Sequence, residues 1–387
     1  MHIFSLIAGI LVIVAVLLDA FETVVLPRRV HRSFRLTNVF YGNTWRPWAR
    51  LSLHIKSNAR REQFLGYFGP LSLIVLLGLW AMGLIFGFSL LQYGGGEHIA
   101  SGNQPITFGL LVYHSGETFF TLGYGDVVPS SAFSRALSVL EAGLGFGFLG
   151  MVIGYLPTIY SSFSRREVEI SLLDARAGSP PTAAELLARF GKTRDQAVLD
   201  EILREWERWS AELLESHLSY PPLSFFRSQH SNQSWLGALT TILDASSLII
   251  AGIDDVRSDQ AKLTFAMARH AVVDLAQVVY ARYDPEVPER LPADEMTLLR
   301  EMLLKNGIKL KTGPEFEQKL AYLRSLYEPY THGVARNMLI TIPPWIFKEK
   351  KRDNWQSGPW DRAIQARSLA GLGKGAAQPL VKVDEHF

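Results

Sequence analysis

The chain has 387 residues, and its 39 basic side chains stand against 37 acidic ones for a formal net charge of +2, with no cysteine. The even charge gives no global reason to expect nucleic acid as a partner. The lack of cysteine excludes a disulfide framework, a thiolate metal site and a cysteine nucleophile.

The apolar residues, 48% of the chain, are concentrated before residue 160. Ile3 to Leu18 is apolar apart from Ser5, and the run continues past Asp19 and Glu22 to Leu26. A signal peptide would place its basic residues before the apolar run. Here Arg28, Arg29, Arg32 and Arg35 follow it, which predicts a retained helix, spanning within residues 1–27, with its N-terminus outside. Asp19 and Glu22 lie on one face near the inner boundary, where pairing with Arg28, Arg29 or a neighbouring helix is expected, a cation site being the other reading. Residues 28–63 form a basic, aromatic connector in which Phe40, Tyr41, Trp45 and Trp48 suit either a segment at headgroup level or an ordinary loop.

Phe64 to Tyr93 carries no charged residue and is long enough to cross a hydrocarbon core of roughly 30 Å. Phe133 to Phe163 is a further span, with Glu141 as its acid. Nine lysines and arginines lie between Arg28 and Arg61 and none from Glu62 to Ser134; Arg135 stands at the start of the last span, and Arg165 and Arg166 reopen the series after it. By the positive-inside rule, the connector and everything beyond residue 164 are cytoplasmic, and residues 94–132 face outward.

Within that outer loop, Thr107 to Thr118 is too short to cross and too apolar for a plain external loop, so it reads as a re-entrant half-helix. Bare backbone at membrane depth is tolerated only where it lines a cavity or is packed in protein. The glycine-rich piece that follows, Thr121-Leu122-Gly123-Tyr124-Gly125-Asp126, is therefore expected to line a pore. Glycine takes up positive φ cheaply, so Gly123 and Gly125 can let the carbonyls of Thr121, Leu122, Gly123 and Tyr124 point at one axis and replace the water around an ion. One chain supplies one wall, so several copies around an axis are implied.

In this segment the sequence resembles the potassium-channel pore-loop family, whose filter signature is T-x-G-Y-G-D between a half-helix and an inner helix. The resemblance covers residues 64–163 and implies four subunits, potassium as the permeant ion, passive conduction and a role for Tyr124 in selectivity. The family's bacterial two-span pores place a carboxylic acid where Glu117 stands, which brings Glu117 and Asp126 together behind the filter to share a proton, with the Tyr113 phenol offered to Asp126. The other reading has Glu117 and Asp126 attracting cations at the outer mouth. Phe120 departs from the pattern, since the family often has a small hydroxyl residue there. By register, Gly145 falls at the family's hinge glycine and Gly150 nearer the cytoplasmic crossing; close packing of Gly143-x-x-x-Gly147 and Gly150-x-x-x-Gly154 is the alternative reading. Before the pore pair the first span carries no ladder of arginines, so no voltage sensor is visible.

Residues 164–345 read as a soluble, all-helical domain. Thr182 and Glu185 form a capping box opening a helix to Phe190, and further helices are expected over Asp195–His217, Ser234–Ile253, Ser258–Tyr283, Asp294–Leu304 and Pro314–Tyr327. Asp244 makes the fourth of these apolar stretches, Trp235 to Ile253, a buried core helix and not a span. Tyr220-Pro221-Pro222 through Arg227 reads as a rigid elbow. This domain has no strand-helix alternation with a G-x-G-x-x-G turn, no P-loop and no H-E-x-x-H helix. His270 and Asp274 are four apart on one helix face, but the spacing of His217, His230, His270 and Asp274 is otherwise arbitrary, and helix-surface or core polar contacts are expected over a metal site. Neither an enzyme nor a cofactor is therefore expected. Residues 346–387, with Lys348, Lys350, Lys351 and Arg352, read as a flexible tail.

The expected fold is thus an all-α membrane protein: three transmembrane helices, a re-entrant pore helix with its filter, and a helical cytoplasmic domain. The expected function is a homotetrameric, potassium-selective channel of a bacterial inner membrane, gated through the cytoplasmic domain by an unidentified ligand or partner. The alternative is a membrane-tethered sensor or scaffold whose pore is non-conducting or non-selective.

Overall fold

The computed structural model describes residues 2–26, 35–96, 99–100, 105–230, 232–283 and 285–348. Pro27, Arg28, Arg29 and Arg32 of the basic stretch, and Lys350, Lys351 and Arg352 of the tail, lie outside them. The chain is an all-α membrane protein, and four of its helices are long and apolar enough to cross a bilayer.

Helix α1, His2–Ala20, ends in a π-helical turn, Phe21–Val25. Its Ile13, Val16 and Ala20 are buried against α4, Phe68–Gly94, while Phe4, Ile7, Leu11 and Leu18 stay exposed on the faces that hydrocarbon would cover. Glycines permit the close approach: a Cβ on Gly9 would lie 2.8 Å from the Gly87 carbonyl oxygen, and one on Gly87 would lie 2.6 Å from Ile13. Small residues serve the same purpose in other membrane helix pairs, where packing replaces the hydrophobic effect as the driving force.

Asp19 is fully buried, and its carboxylate accepts from the Thr37 hydroxyl at 2.7 Å, the Thr37 amide at 3.1 Å and the Trp80 indole at 3.0 Å. It thereby caps α2, Leu36–Ser52, whose own flanking residue Arg35 supplies no capping bond. One carboxylate thus ties together the first helix, the connector and the outer helix α4. Glu22 pairs with Arg35 at 3.5 Å. The connector aromatics do not face outward as a headgroup segment would have them: Tyr41 and Trp45 are buried within the protein, and Trp48 stacks on Phe64 of α3, Asn58–Gly66, at 4.4 Å. Aromatic faces from several elements meet there, and each ring buries more area against another ring than against water.

A two-stranded antiparallel pair, β1 Ile99–Ala100 and β2 Val128–Pro129, closes the outer loop around the half-helix α5, Phe108–Phe119. Then α6, Ala132–Ala177, runs 46 residues, about 69 Å at the usual rise. That is more than twice the hydrocarbon thickness, so α6 passes residue 163, the expected edge of the pore, without a break and enters the helical domain that follows.

The domain is built from α7 Ala183–Thr193, α8 Gln196–Ser219, α9 Trp235–Gly252, α10 Asp259–Val278, α11 Ala293–Lys305, α12 Pro314–Ser325 and α13 Glu328–Met338. The Thr182 hydroxyl caps α7 by accepting from the Glu185 amide at 3.2 Å. Helix α9 is apolar enough for a span, but other helices surround it and its side chains are buried from Trp235 to Ala251. Asp244 at its centre accepts a fork from Arg290 at 2.7 and 3.1 Å and a bond from the Tyr327 hydroxyl, which satisfies the carboxylate inside the core. Ile346 is buried and Lys348 pairs with Asp294 at 3.3 Å, so the domain reaches past residue 345.

Candidate ion-conduction site

The half-helix α5 has 12 residues, about 18 Å, and cannot cross the membrane alone. The Thr107 hydroxyl caps its start, accepting from the Leu110 amide at 3.2 Å. Its end is a Schellman motif: the Leu122 amide donates to the Glu117 carbonyl at 2.8 Å and the Thr121 amide to the Thr118 carbonyl at 3.1 Å. Thr121 occupies the left-handed position of that motif, with φ +55°, where glycine is usual. A β-branched residue there costs roughly 1–2 kcal/mol.

Gly123 and Gly125 also have positive φ, +60° and +79°, while Leu122 and Tyr124 do not. Residues of opposite hand therefore alternate from Thr121 to Gly125, as expected for Gly123 and Gly125 and extended by one residue at Thr121. Alternation of this kind is what allows successive carbonyls to turn to one side. Leu122 and Tyr124 are 54% and 69% exposed, and a methyl group at either glycine would meet nothing within 4 Å. Behind this stretch stands its own half-helix; the rest of its surroundings is left open by a single chain.

The Tyr113 hydroxyl donates to Asp126 at 3.2 Å. Glu117 is buried, but the partner of its Oε1 is His114 Nδ1 at 3.2 Å, and no hydrogen bond to Asp126 occurs among the described residues. Spacing explains the difference: His114 is three residues earlier on the same helix face, within reach without any change of backbone. His114 Nε2 continues to Ser138 Oγ of α6 at 3.2 Å, and Gln92 of α4 donates to the Ser134 carbonyl at 3.4 Å. Ser115 Oγ lies 2.8 Å from the Ile85 carbonyl oxygen and also contacts Glu141 of α6. Glu141 stands out in the sequence as the acid of its span but carries no hint there of Ser115 as partner, and His114, Ser115 and Ser138 are marked only as polar side chains on helices at membrane depth. Gly145 is a contact position: a methyl group there would lie 2.0 Å from the Phe119 carbonyl oxygen, whereas Gly150 has open space around it.

In the C-terminal third of α6, Arg166 is 4% exposed. It donates to the carbonyls of Leu223 and Phe226 at 3.2 and 2.8 Å, to His217 Nε2 at 3.1 Å and to Glu167 at 3.0 Å. Leu223 and Phe226 belong to the elbow that opens with the 3₁₀ turn Pro221–Phe225. On the other side of the elbow, the Phe225 ring stacks on Tyr41 at 4.9 Å and lies 5.3 and 5.2 Å from Trp45 and Phe68. Gly69 admits this contact, because a Cβ there would come 2.8 Å from Phe226. The elbow thus joins the inner helix to the base of the outer helix.

Since Arg166 can only donate, His217 Nε2 accepts, and Nδ1–H donates to the Leu213 carbonyl at 2.8 Å. Burial, and after it the Arg166 guanidinium, push the His217 imidazole down to about 3. The unfolded chain takes up that proton near the ordinary value of about 6.5. Between those values the unfolded state binds more protons, so stability is lost as pH falls, by up to about 1.4 kcal/mol per unit. Unfolding of the C-terminal helical domain in detergent, followed by tryptophan fluorescence, is expected to shift to lower urea below pH 6.5, and His217→Gln is expected to flatten that slope. Of the other histidines, His270 lies on the surface 3.9 Å from Asp274.

A half-helix whose end starts an alternating-hand backbone is set between α4 and α6, two helices long and apolar enough to span a bilayer. Residues 74–161 match the family model described as "Ion channel", which supports membership of the potassium-channel pore-loop family for this part of the chain. The chain is also similar to the "Uncharacterized membrane protein YdjJ" of Bacillus subtilis (strain 168), with 20% identity over 249 residues, 64% of this chain and 72% of that protein. No solved structure matches.

Proposed function

We propose that four copies of this chain surround one axis and form a potassium-selective channel that conducts passively in a bacterial inner membrane, with the N-terminus outside and the helical domain in the cytoplasm. The observation that carries this reading is the left-handed backbone at Thr121, Gly123 and Gly125, exposed in a single subunit and able to turn the carbonyls of Thr121, Leu122, Gly123 and Tyr124 to one side. Four copies supply the walls that one chain lacks. Tyr124, its side chain exposed in one chain, would wedge against the neighbouring subunit and hold the diameter. Tyr113, Asp126 and Glu117 stiffen the filter from behind, with His114 as the partner of Glu117.

Gating runs through the elbow. Movement of the cytoplasmic domain pulls on Arg166 at the foot of α6 and on Phe225 in the Tyr41, Trp45 and Phe68 cluster, and Gly145 and Gly150 are the positions where α6 bends. For a gating ligand, cavities of ≈ 330 Å³ and ≈ 600 Å³ lie against α6, the larger lined by Arg165, Trp209, Glu212 and Tyr220.

Proteoliposomes test the reading. Purified protein in potassium-loaded vesicles is expected to take up rubidium in preference to sodium by two orders of magnitude or so, about 3 kcal/mol of discrimination. Equal uptake of both ions would point to a non-selective pore, and no uptake of either would favour the scaffold.

A further inference from the structure

We propose that Glu141 of the inner helix is a positioning residue of the filter, holding the half-helix α5 in place through Ser115; the proposal rests on the channel reading above. Ser138, Glu141 and Gly145 recur at spacings of three and four on α6, so they share one face. Opposite them on α5 are His114, Ser115 and Phe119. The contacts pair off in order: Ser138 Oγ with His114 Nε2 at 3.2 Å, Glu141 with Ser115 Oγ, and Gly145 against the Phe119 carbonyl with no room for a methyl group. The last of these lies two residues before Thr121, where the filter begins.

Ser115 and Glu141 have no exposed surface. A hydroxyl has one hydrogen, and Ser115 Oγ has two oxygen neighbours, Ile85 O at 2.8 Å and the Glu141 carboxyl. The carbonyl can only accept. The Ile85 carbonyl also accepts from Ser89 Oγ at 2.7 Å, and the single Ser115 hydrogen cannot serve both neighbours; both contacts are hydrogen bonds at once when Ser115 donates to Ile85 and the Glu141 carboxyl group donates to Ser115. Glu141 Oε2 has no hydrogen-bond partner among the described residues, an arrangement that suits the oxygen of a neutral acid far better than half of a bare carboxylate in a dry interior. The bridge then runs from α6 through Ser115 to the backbone of α4, and the half-helix cannot tilt without breaking it. A side chain of the same shape that still donates, glutamine, should keep the bridge, and leucine should lose it.

The test compares Glu141→Gln, Glu141→Leu and Ser115→Ala in the full-length protein, by hydrogen exchange of residues 120–127 in nanodiscs and by rubidium and sodium uptake into proteoliposomes. Glu141→Leu and Ser115→Ala are expected to raise exchange of the filter amides, and lower the rubidium-to-sodium ratio, about tenfold, the effect of losing one interhelical bond, while Glu141→Gln stays within about threefold of the native protein. Native exchange in Glu141→Leu, or damage by Glu141→Gln as large as by Glu141→Leu, would overturn the assignment. If Glu141→Leu does not assemble, Ser115→Ala, which removes a single oxygen, decides in its place. A native protein that passes no cation would defeat the channel reading, yet the exchange comparison would still decide what Glu141 does.

Discussion

Replacing Gly123 by alanine is expected to reduce rubidium uptake to the background of empty vesicles while leaving the assembled oligomer intact. The residue sits at φ +60°, and an added methyl group would meet no atom within 4 Å, so the cost is conformational and not steric. For an L-residue it is roughly 1–2 kcal/mol, and it recurs in every subunit of the ring. A peptide flip relieves the strain, and the flip turns a carbonyl away from the ion. A missing carbonyl leaves a desolvated cation short of oxygens at one site in the row, which is enough to stop passage. The half-helix and its polar contacts to α4 and α6 do not involve Gly123, so size-exclusion chromatography should report an unchanged oligomer. Gly78→Ala, in a helix and facing open space, is the control expected to conduct normally.

Arg166→Ala is expected to be the most destabilising single change at the junction of α6 with the helical domain. The guanidinium satisfies two elbow carbonyls, His217 and Glu167 in a buried setting, and its removal leaves Glu167 as a buried carboxylate short of its cation. Breaking a buried pair from one side costs about 3–5 kcal/mol. Arg166→Lys should recover only part of this, because an ammonium cannot fork to Leu223 and Phe226 as a guanidinium does. Chemical unfolding of the purified protein at neutral pH checks the magnitude, and limited proteolysis within residues 219–230 should become faster in Arg166→Ala as the elbow loosens.

Much of this architecture could be read in advance, for reasons tied to particular residues. The hexapeptide Thr121–Asp126 needs glycines at alternate positions, and those are visible as letters. The helices after α6 announce themselves by period and by the Thr182 cap. Other features left no local mark. Thr121 is left-handed because a helix ends there, against its own preference. Asp19 meets Trp80 across sixty-odd positions of sequence, and nothing in an acid near a membrane boundary says that it will cap another helix. Helix α13 was hidden by Pro329, which reads as a stop but stands in the first turn of a new helix, where its missing amide costs nothing. The elbow was legible from its prolines, whereas the ring cluster that receives Phe225 depends on how the connector folds back.

The central claim is that the carbonyls of residues 121–124 surround a dehydrated cation on an axis shared by several copies of the chain. Anomalous scattering from crystals of the full-length protein grown in rubidium measures this directly. The account predicts a row of peaks on a fourfold axis, each ringed by those carbonyl oxygens from every subunit. Filter segments facing lipid or bulk solvent, with no rubidium between them, would contradict it.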